Sequence, residues 1–141
     1  MKQYPSYLKY KKNHKPTSSL LYLNEKKKFF ICRGIMALKA AENCKLTYNQ
    51  IEACRKAIRR MLKKKQGSVI LKVFTNISLT KKPLATRMGK GKGGHSHWVS
   101  CIKKGQVLCE VLTYRSNIAY KALKEASKKL PIKAIIINNN Y

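Results

Sequence analysis

Carboxylates are nearly absent from this sequence. The 141 residues include no aspartate and only five glutamates, against 32 lysines and arginines, so the formal net charge is +27. The glutamates are isolated from one another, and catalysis by a carboxylate pair therefore has no sequence support. So basic a chain repels itself in water. Nucleic acid relieves that repulsion, since its closely spaced phosphates bind cations and release counterions.

Several other signals are missing. No apolar run approaches the ~18 residues that a membrane-spanning helix needs, and residues 1–15 lack the apolar core of a signal peptide. No two of the five cysteines have CxxC spacing, and their odd number argues against a disulfide framework. We interpret them as reduced, small hydrophobic residues, with Cys54 and Cys101 on apolar stripes. A length of one domain and 44% hydrophobic residues predict a modest core.

Residues 1–19 are polar and basic and contain two prolines, which predicts an extended arm. Lysines alternate there with rings: Lys9, Lys11, Lys12 and Lys15 with Tyr7, Tyr10 and His14. Cations meet phosphates and rings stack on bases, so this mixture is typical of RNA binding. A solvated tail is the alternative.

The remainder predicts one α+β domain over residues 20–137 and a tail at 138–141. We expect an antiparallel or mixed β sandwich with two helices. Strands are predicted at residues 20–23, 29–32, 35–38, 68–74 and 132–137, with a loop at 75–82. Residues 98–102 and 106–112 are predicted to form a hairpin that turns at Lys104 and Gly105.

Both helices follow from apolar spacing. The first begins at Thr47, which forms a capping box with Gln50, and ends near Gly67. Its predicted core face is Ile51, Cys54, Ala57, Ile58, Met61 and Leu62. The second runs from Ser116 toward Lys129 and is stopped by Pro131. Its predicted inward residues are Ile118, Ala119, Ala122, Leu123, Ala126 and Leu130.

A glycine-rich segment, RMGKGKGG at residues 87–94, is the most informative stretch. Its glycines permit close backbone approach and positive φ, and its lysines supply cations, which together indicate a phosphate-rich partner. A P-loop is disfavoured because His95 occupies the position of the required lysine. A metal site at His95 and His97 has only Cys101 as a further local ligand. A plain linker does not explain the Gly-Lys alternation.

The run KKPLATRMGKGKG at residues 81–93 closely resembles the signature of the large-subunit ribosomal protein L-sixteen family. Supporting matches lie at residues 9–15, at 46–53 around the first helix start, and at 129–133. The resemblance spans roughly residues 9–135. Residues 17–28, 42–45 and 94–97 depart from the family pattern.

The resemblance implies an α+β protein bound to large-subunit ribosomal RNA, whose loop reaches toward A-site transfer RNA and the peptidyl-transferase region. The implied loop residues are Arg87, Met88, Gly89, Lys90, Gly91 and Lys92. The predicted ribosomal-RNA-binding residues are Lys9, Lys11, Lys12, His14, Lys15, Arg55, Arg59, Lys63, Lys81 and Lys82. Expected partners are both RNAs and neighbouring large-subunit proteins, without membrane span, metal, cofactor or small-molecule substrate.

The resemblance predicts a structural constituent of the large ribosomal subunit and not an enzyme. A free-standing RNA chaperone or assembly factor is the alternative. The 26 lysines against 6 arginines suggest AT-rich coding, and the family match begins close to Met1. Both features favour an organelle-encoded mitochondrial protein, with a plastid or a bacterial cytoplasm as alternatives.

Overall fold

The computed structural model describes residues 4–14 and 30–138, without the side chains of residues 64 and 65. Within these ranges the chain forms seven strands and two helices. In order they are β1 (Met36–Ala40), β2 (Cys44–Thr47), α1 (Tyr48–Gln66), β3 (Gly67–Leu71), β4 (Ile77–Lys81), β5 (Gly94–Ile102), β6 (Val107–Thr113), α2 (Ser116–Ser127) and β7 (Ala134–Asn138).

The strands build two sheets, ordered β3-β6-β1-β7 and β2-β5-β4. Every pairing among the described strands is antiparallel. The predicted α+β class is confirmed. The predicted arm boundary at residue 19, the strand at 20–23, Lys15 and residues 139–141 lie outside the described ranges. No described helix is long and apolar enough to cross a membrane.

The core lies between the helices and one face of the four-stranded sheet. Leu38 of β1 and Cys109 of β6 are directly paired and completely buried. Ile58 of α1 and Leu123 of α2 are also completely buried. The interpretation of cysteines as small hydrophobic residues is confirmed at Cys54 and Cys109, whereas Cys101 is only half-buried.

Helix α1 begins as predicted. The Gln50 amide donates to the Thr47 hydroxyl oxygen at 3.4 Å, and the Thr47 amide donates to the Gln50 side-chain oxygen at 2.9 Å. The predicted inward position of Met61 is wrong, since this side chain is 38% exposed. The buried stripe is centred on Ile51, Cys54, Ile58 and Leu62, and Met61 lies on its flank. The helix reaches Gln66, just before the predicted terminator Gly67, but it is interrupted at Lys63, whose φ of +48° is not helical.

Helix α2 buries Ala119, Ala122, Leu123 and Ala126 completely and Ile118 in part, which confirms its predicted inward face. It ends at Ser127, two residues earlier than predicted, because the chain then forms a turn in which the Lys129 amide donates to the Ala126 carbonyl.

The predicted hairpin of residues 98–102 and 106–112 is wrong. A turn does form there, with the Gln106 amide donating to the Lys103 carbonyl at 3.1 Å. However, β5 and β6 belong to different sheets. Beyond the turn, the Gly105 amide donates to the Ala40 carbonyl and the Ala40 amide donates to the Gln106 carbonyl. The chain thereby leaves the three-stranded sheet after β5 and continues as β6, which pairs with β1 in the four-stranded sheet.

Three further strand predictions need correction. Residues 77–81 form β4 instead of a loop, because they pair with β5 from Ile77–Val99 to Lys81–Gly94. Residues 44–47 form an unpredicted strand, β2, on the other side of β5. The described residues of the predicted strand 29–32 are not a strand.

That last difference has a physical cause in Glu110, whose side chain is completely buried. Its carboxylate accepts hydrogen bonds from the backbone amides of Cys32 (3.0 Å), Arg33 (3.1 Å) and Gly34 (3.2 Å). Lys72 completes the site with an ammonium nitrogen 3.2 Å from one carboxylate oxygen. These amides are therefore directed at a side chain instead of at a neighbouring strand.

Gly34 is required where this segment crosses β6. A Cβ there would lie 2.9 Å from the Glu110 Cβ and 3.0 Å from the Val111 carbonyl oxygen.

Burial raises the pKa of Glu110, but the amides and Lys72 lower it more strongly, so that the net pKa lies below its ordinary value.

We expect Glu110→Gln to lower the free energy of unfolding by about 1–3 kcal/mol, since an amide NH₂ group would face a backbone donor. The lowered pKa means that the folded state binds the proton less tightly than the unfolded state. The stabilisation is therefore complete above pH ~4.3 and is lost as the pH falls through the lower folded pKa. Urea unfolding from neutral to acidic pH should show the two proteins converging.

Glu125→Gln is the matched control, because Glu125 forms only an exposed i,i+3 pair with Lys128. Little change is expected from it. Equal stability of wild type and Glu110→Gln at neutral pH would contradict the role given to this carboxylate.

Candidate nucleic-acid interface

The glycine-rich segment forms the end of a β hairpin. Strands β4 and β5 pair as far as Lys81 and Gly94, and residues 82–93 connect them. The side chains of Leu84 and Met88 are almost completely exposed. The loop thus extends beyond the paired part of the sheet, where a large partner can reach it.

The backbone at the loop tip is left-handed over three consecutive residues. The φ angles are +98° at Gly89, +53° at Lys90 and +80° at Gly91. A Cβ at either glycine would meet nothing within 4 Å, so the conformation and not crowding favours glycine there. Successive amides in such turns can surround an anion.

The arm and the loop contact each other. The Lys12 ammonium donates to the Lys92 carbonyl at 3.3 Å, and the Lys92 ammonium donates to the Asn13 carbonyl. Within the loop, the Lys82 ammonium donates to the Gly89 carbonyl at 2.6 Å. Two regions about eighty residues apart in sequence therefore form one basic surface.

A β bulge shapes the base of the hairpin. Leu79 pairs with His97 and Thr80 pairs with His95, which leaves Ser96 as the extra residue of β5. The extra residue brings His95 to the same side as Trp98, and their ring centroids are 4.9 Å apart. The Ser78 hydroxyl hydrogen bonds the His95 Nδ1 at 2.7 Å. A cleft of about 290 Å³ is lined here by Tyr4, Lys11, His95, Ser96, His97 and Trp98.

A second basic cleft runs beside α1. It has a volume of about 320 Å³ and is lined by Arg55, Arg59, Lys63, Gly67, Ser68 and Val69. Arg55 is held by Glu52 through two hydrogen bonds of 2.9 and 2.6 Å, and the bond to Arg55 lowers the pKa of Glu52. Arg59 and Lys63 are exposed. They are therefore more available to a phosphate than Arg55.

The ion pairs between described residues all lie away from the loop. They join Arg55 to Glu52, Lys72 to Glu110 and Lys128 to Glu125. No described group of three or more His, Cys, Asp or Glu side chains could hold a metal ion. His95 and His97 instead hydrogen bond Ser78 and Ser96.

Comparison with known proteins matches this chain over nearly its whole length. The model of the family described as ribosomal protein L16p/L10e matches residues 5–137. The large ribosomal subunit protein uL16 of Blochmanniella pennsylvanica is 40% identical over 133 residues, which cover 94% of this chain and 96% of that protein. The chain belongs to the ribosomal protein L16p/L10e family.

Two other uL16 proteins agree with this membership. That of Fervidobacterium nodosum is 39% identical over 137 residues, covering 97% of this chain and 94% of its own. That of Phytoplasma australiense is 46% identical over 114 residues, covering 79% and 81%. The relatives are mostly bacterial. The L16p/L10e match includes the arm residues from Pro5 onward and the complete loop.

For this L16p/L10e chain, the structure groups several of the predicted site residues into two surfaces. Lys12 contacts the loop that carries Arg87 to Lys92, and Lys11 lines the cleft beside it. Arg55, Arg59 and Lys63 form the separate cleft beside α1. The prediction did not include Tyr4, Ser78 or Trp98. The HSHW run at residues 95–98 could have indicated His95 and Trp98 as site residues. Nothing in the sequence indicated the bulge or the contact of Ser78 with His95.

We expect Arg59→Ala combined with Lys63→Ala to weaken binding of a large-subunit ribosomal RNA fragment by the isolated protein. The plot of log affinity against log salt should become shallower by about one unit for each phosphate that the variant no longer neutralises. Filter binding over a series of salt concentrations measures this slope.

The charge-matched control is Lys121→Ala combined with Lys124→Ala, which removes two exposed cations from α2. It should change the slope less. An identical change in both double variants would mean that the cleft beside α1 contributes only net charge.

Proposed function

We propose that this protein is a structural constituent of the large ribosomal subunit, which binds ribosomal RNA and helps to position A-site transfer RNA near the peptidyl-transferase centre. The observation that carries the proposal is the exposed, glycine-flanked hairpin loop with Arg87, Lys90 and Lys92. Membership of the L16p/L10e family, whose relatives are named as large-subunit proteins, supports the ribosomal setting.

The loop is suited to contact a phosphate backbone. Arg87 and Lys90 are exposed, and no ion pair between described residues involves them. An arginine fork can bind a phosphate through two hydrogen bonds, and lysine adds a mobile charge. Neither contact reads a base, so the loop would hold any aminoacyl-transfer RNA in the same way.

Ribosomal RNA would bind the wider basic surface. On this proposal the arm residues Lys9, Lys11, Lys12 and His14 meet RNA beside the loop, with Lys81 and Lys82 at its neck, and Lys15 is a further proposed RNA-binding residue. Arg59 and Lys63, with Arg55 behind them, meet RNA beside α1. Phosphate contacts of this kind fix position and orientation without reading sequence.

Peptide-bond chemistry would belong to the RNA. Glu52, Glu110 and Glu125 are each engaged in an ion pair away from the loop. No enzymatic role is therefore proposed for this chain.

Neighbouring large-subunit proteins are further proposed partners. A mitochondrial ribosome remains a prediction from composition, and the mostly bacterial relatives agree with the bacterial alternative.

We expect the protein to co-sediment with the large ribosomal subunit in stoichiometric amount when a cell extract is fractionated on a density gradient at high salt. A protein that is built into the large subunit is surrounded by RNA and stays bound at high salt, whereas a free-standing chaperone would be released. Immunoblotting of gradients from cytosol and from purified organelles measures both the association and the compartment. Recovery only at the top of every gradient would contradict the proposal.

We expect Arg87→Ala combined with Lys90→Ala to weaken A-site transfer RNA binding about tenfold or more, since each charge-assisted hydrogen bond contributes about 1.5–3 kcal/mol. The variant should still fold and assemble, because both side chains are exposed. Binding of aminoacyl-transfer RNA to purified ribosomes measures the effect.

The control is again Lys121→Ala with Lys124→Ala, which removes equal charge from α2. Its ribosomes should bind A-site transfer RNA normally. Normal binding by ribosomes with the loop variant would contradict the role of the loop.

A further inference from the structure

We propose that the cleft between the arm and the hairpin holds one unpaired ribonucleotide. The inference rests on the proposed function, which surrounds the protein with RNA, and it names the part of the RNA that this cleft would bind. The cleft of about 290 Å³ is lined by Tyr4, Lys11, His95, Ser96, His97 and Trp98.

The inner wall is held in a fixed arrangement. Trp98 is only 7% exposed, and its ring lies 4.9 Å from that of His95 at an interplanar angle of 47°. The Ser78 hydroxyl also holds the imidazole, through the 2.7 Å contact with Nδ1. His95 is therefore positioned before a ligand arrives, which lowers the entropic cost of binding.

The outer wall supplies a free ring and a cation. Tyr4 is 54% exposed, and Lys11 is exposed beside it. Unstacked RNA bases bind by stacking on tyrosine and histidine rings, while lysine meets the neighbouring phosphate. Rings and cation in one cleft match a base with its phosphate better than they match a phosphate alone.

The size of the cleft favours an unpaired nucleotide. About 290 Å³ corresponds to the low end of pockets for small ligands, which begin near 300 Å³. Duplex RNA is bound along its outside, across successive grooves, and its bases remain stacked inside the helix. A splayed base can enter such a cleft, whereas a base pair within a helix cannot.

The two walls are joined through the loop. Lys12 and Asn13 follow Lys11 in the arm, and both contact Lys92 of the loop. The arm residues that line the cleft are thus connected to the segment proposed to face transfer RNA. A nucleotide between the walls would hold arm and hairpin together.

Trp98 is the only tryptophan of the chain and so reports directly on this cleft. We expect a short single-stranded oligoadenylate to change Trp98 fluorescence at moderate salt. A duplex RNA with the same number of phosphates should bind without that change. Tyr4→Ala should weaken single-strand binding on the order of tenfold, and Tyr4→Phe should retain it because the ring remains.

Tyr4 is exposed and does not belong to the core, so its replacement leaves the core intact. Tyr120→Ala is the matched control, since Tyr120 is 48% exposed on α2 and should not affect binding. His95→Ala should reduce the fluorescence change, as a second test on the opposite wall.

The outcomes separate the two proposals. Binding of both RNAs without a fluorescence change, or unaltered binding by Tyr4→Ala, would overturn the nucleotide cleft and leave the ribosomal function standing. Failure of the wild-type protein to bind either RNA would overturn both.

Large subunits assembled with Tyr4→Ala identify the source of the nucleotide. A base that becomes newly reactive to dimethyl sulfate without transfer RNA belongs to ribosomal RNA. A newly reactive base that is mapped on the bound A-site transfer RNA itself belongs to the transfer RNA. No altered base in either state would overturn the cleft.

Discussion

Electrostatic self-repulsion is the constraint on which the rest of this structure depends. With 32 cations and five carboxylates, few positive charges can be balanced inside the chain. The carboxylates of the described ion pairs form their contacts within the domain. Glu110 binds the segment that enters β1, Glu52 holds Arg55, and Glu125 pairs with Lys128 on α2. None of them reaches the hairpin loop. The remaining charge therefore calls for an external polyanion, and the proposed RNA partner supplies it.

In the proposed function the core supports the loop and the loop contacts RNA, and these two roles follow from which part of the structure is rigid and which is exposed. The helices and the four-stranded sheet enclose a core of small and branched apolar residues. The second sheet, β2-β5-β4, contributes Leu46 and Ile102 to that core and carries the loop. Because the β4-β5 pairing persists up to Lys81 and Gly94, the loop begins from a fixed base. Its left-handed tip at residues 89–91 then presents backbone and cations together.

The elements that could be predicted were those specified by local chemistry. Helix α1 follows from Thr47, Gln50 and an apolar stripe, and α2 follows from its alanines and Leu123, because helical contacts lie within a few residues. Strand pairing could not be predicted in the same way. The segment at 106–112 looked like the partner of 98–102, but its hydrogen bonds go to β1 and β3. Residues 29–32 looked like a strand, but the amides of Cys32 and Arg33 donate to the Glu110 carboxylate.

The sequence by itself determined the class of partner, the family, the two helices and the glycine-rich loop, since charge, spacing and a contiguous motif are all local properties. Only the tertiary structure decided which cations remain available and which side chains meet. It brought Lys12 to Lys92, and the bulge at Ser96 placed His95 against Trp98 and Ser78. The contacts of Lys12 with Lys92 and of Ser78 with His95 join residues far apart in the chain, which no local pattern encodes, and the second of them depends on the register of β4 and β5.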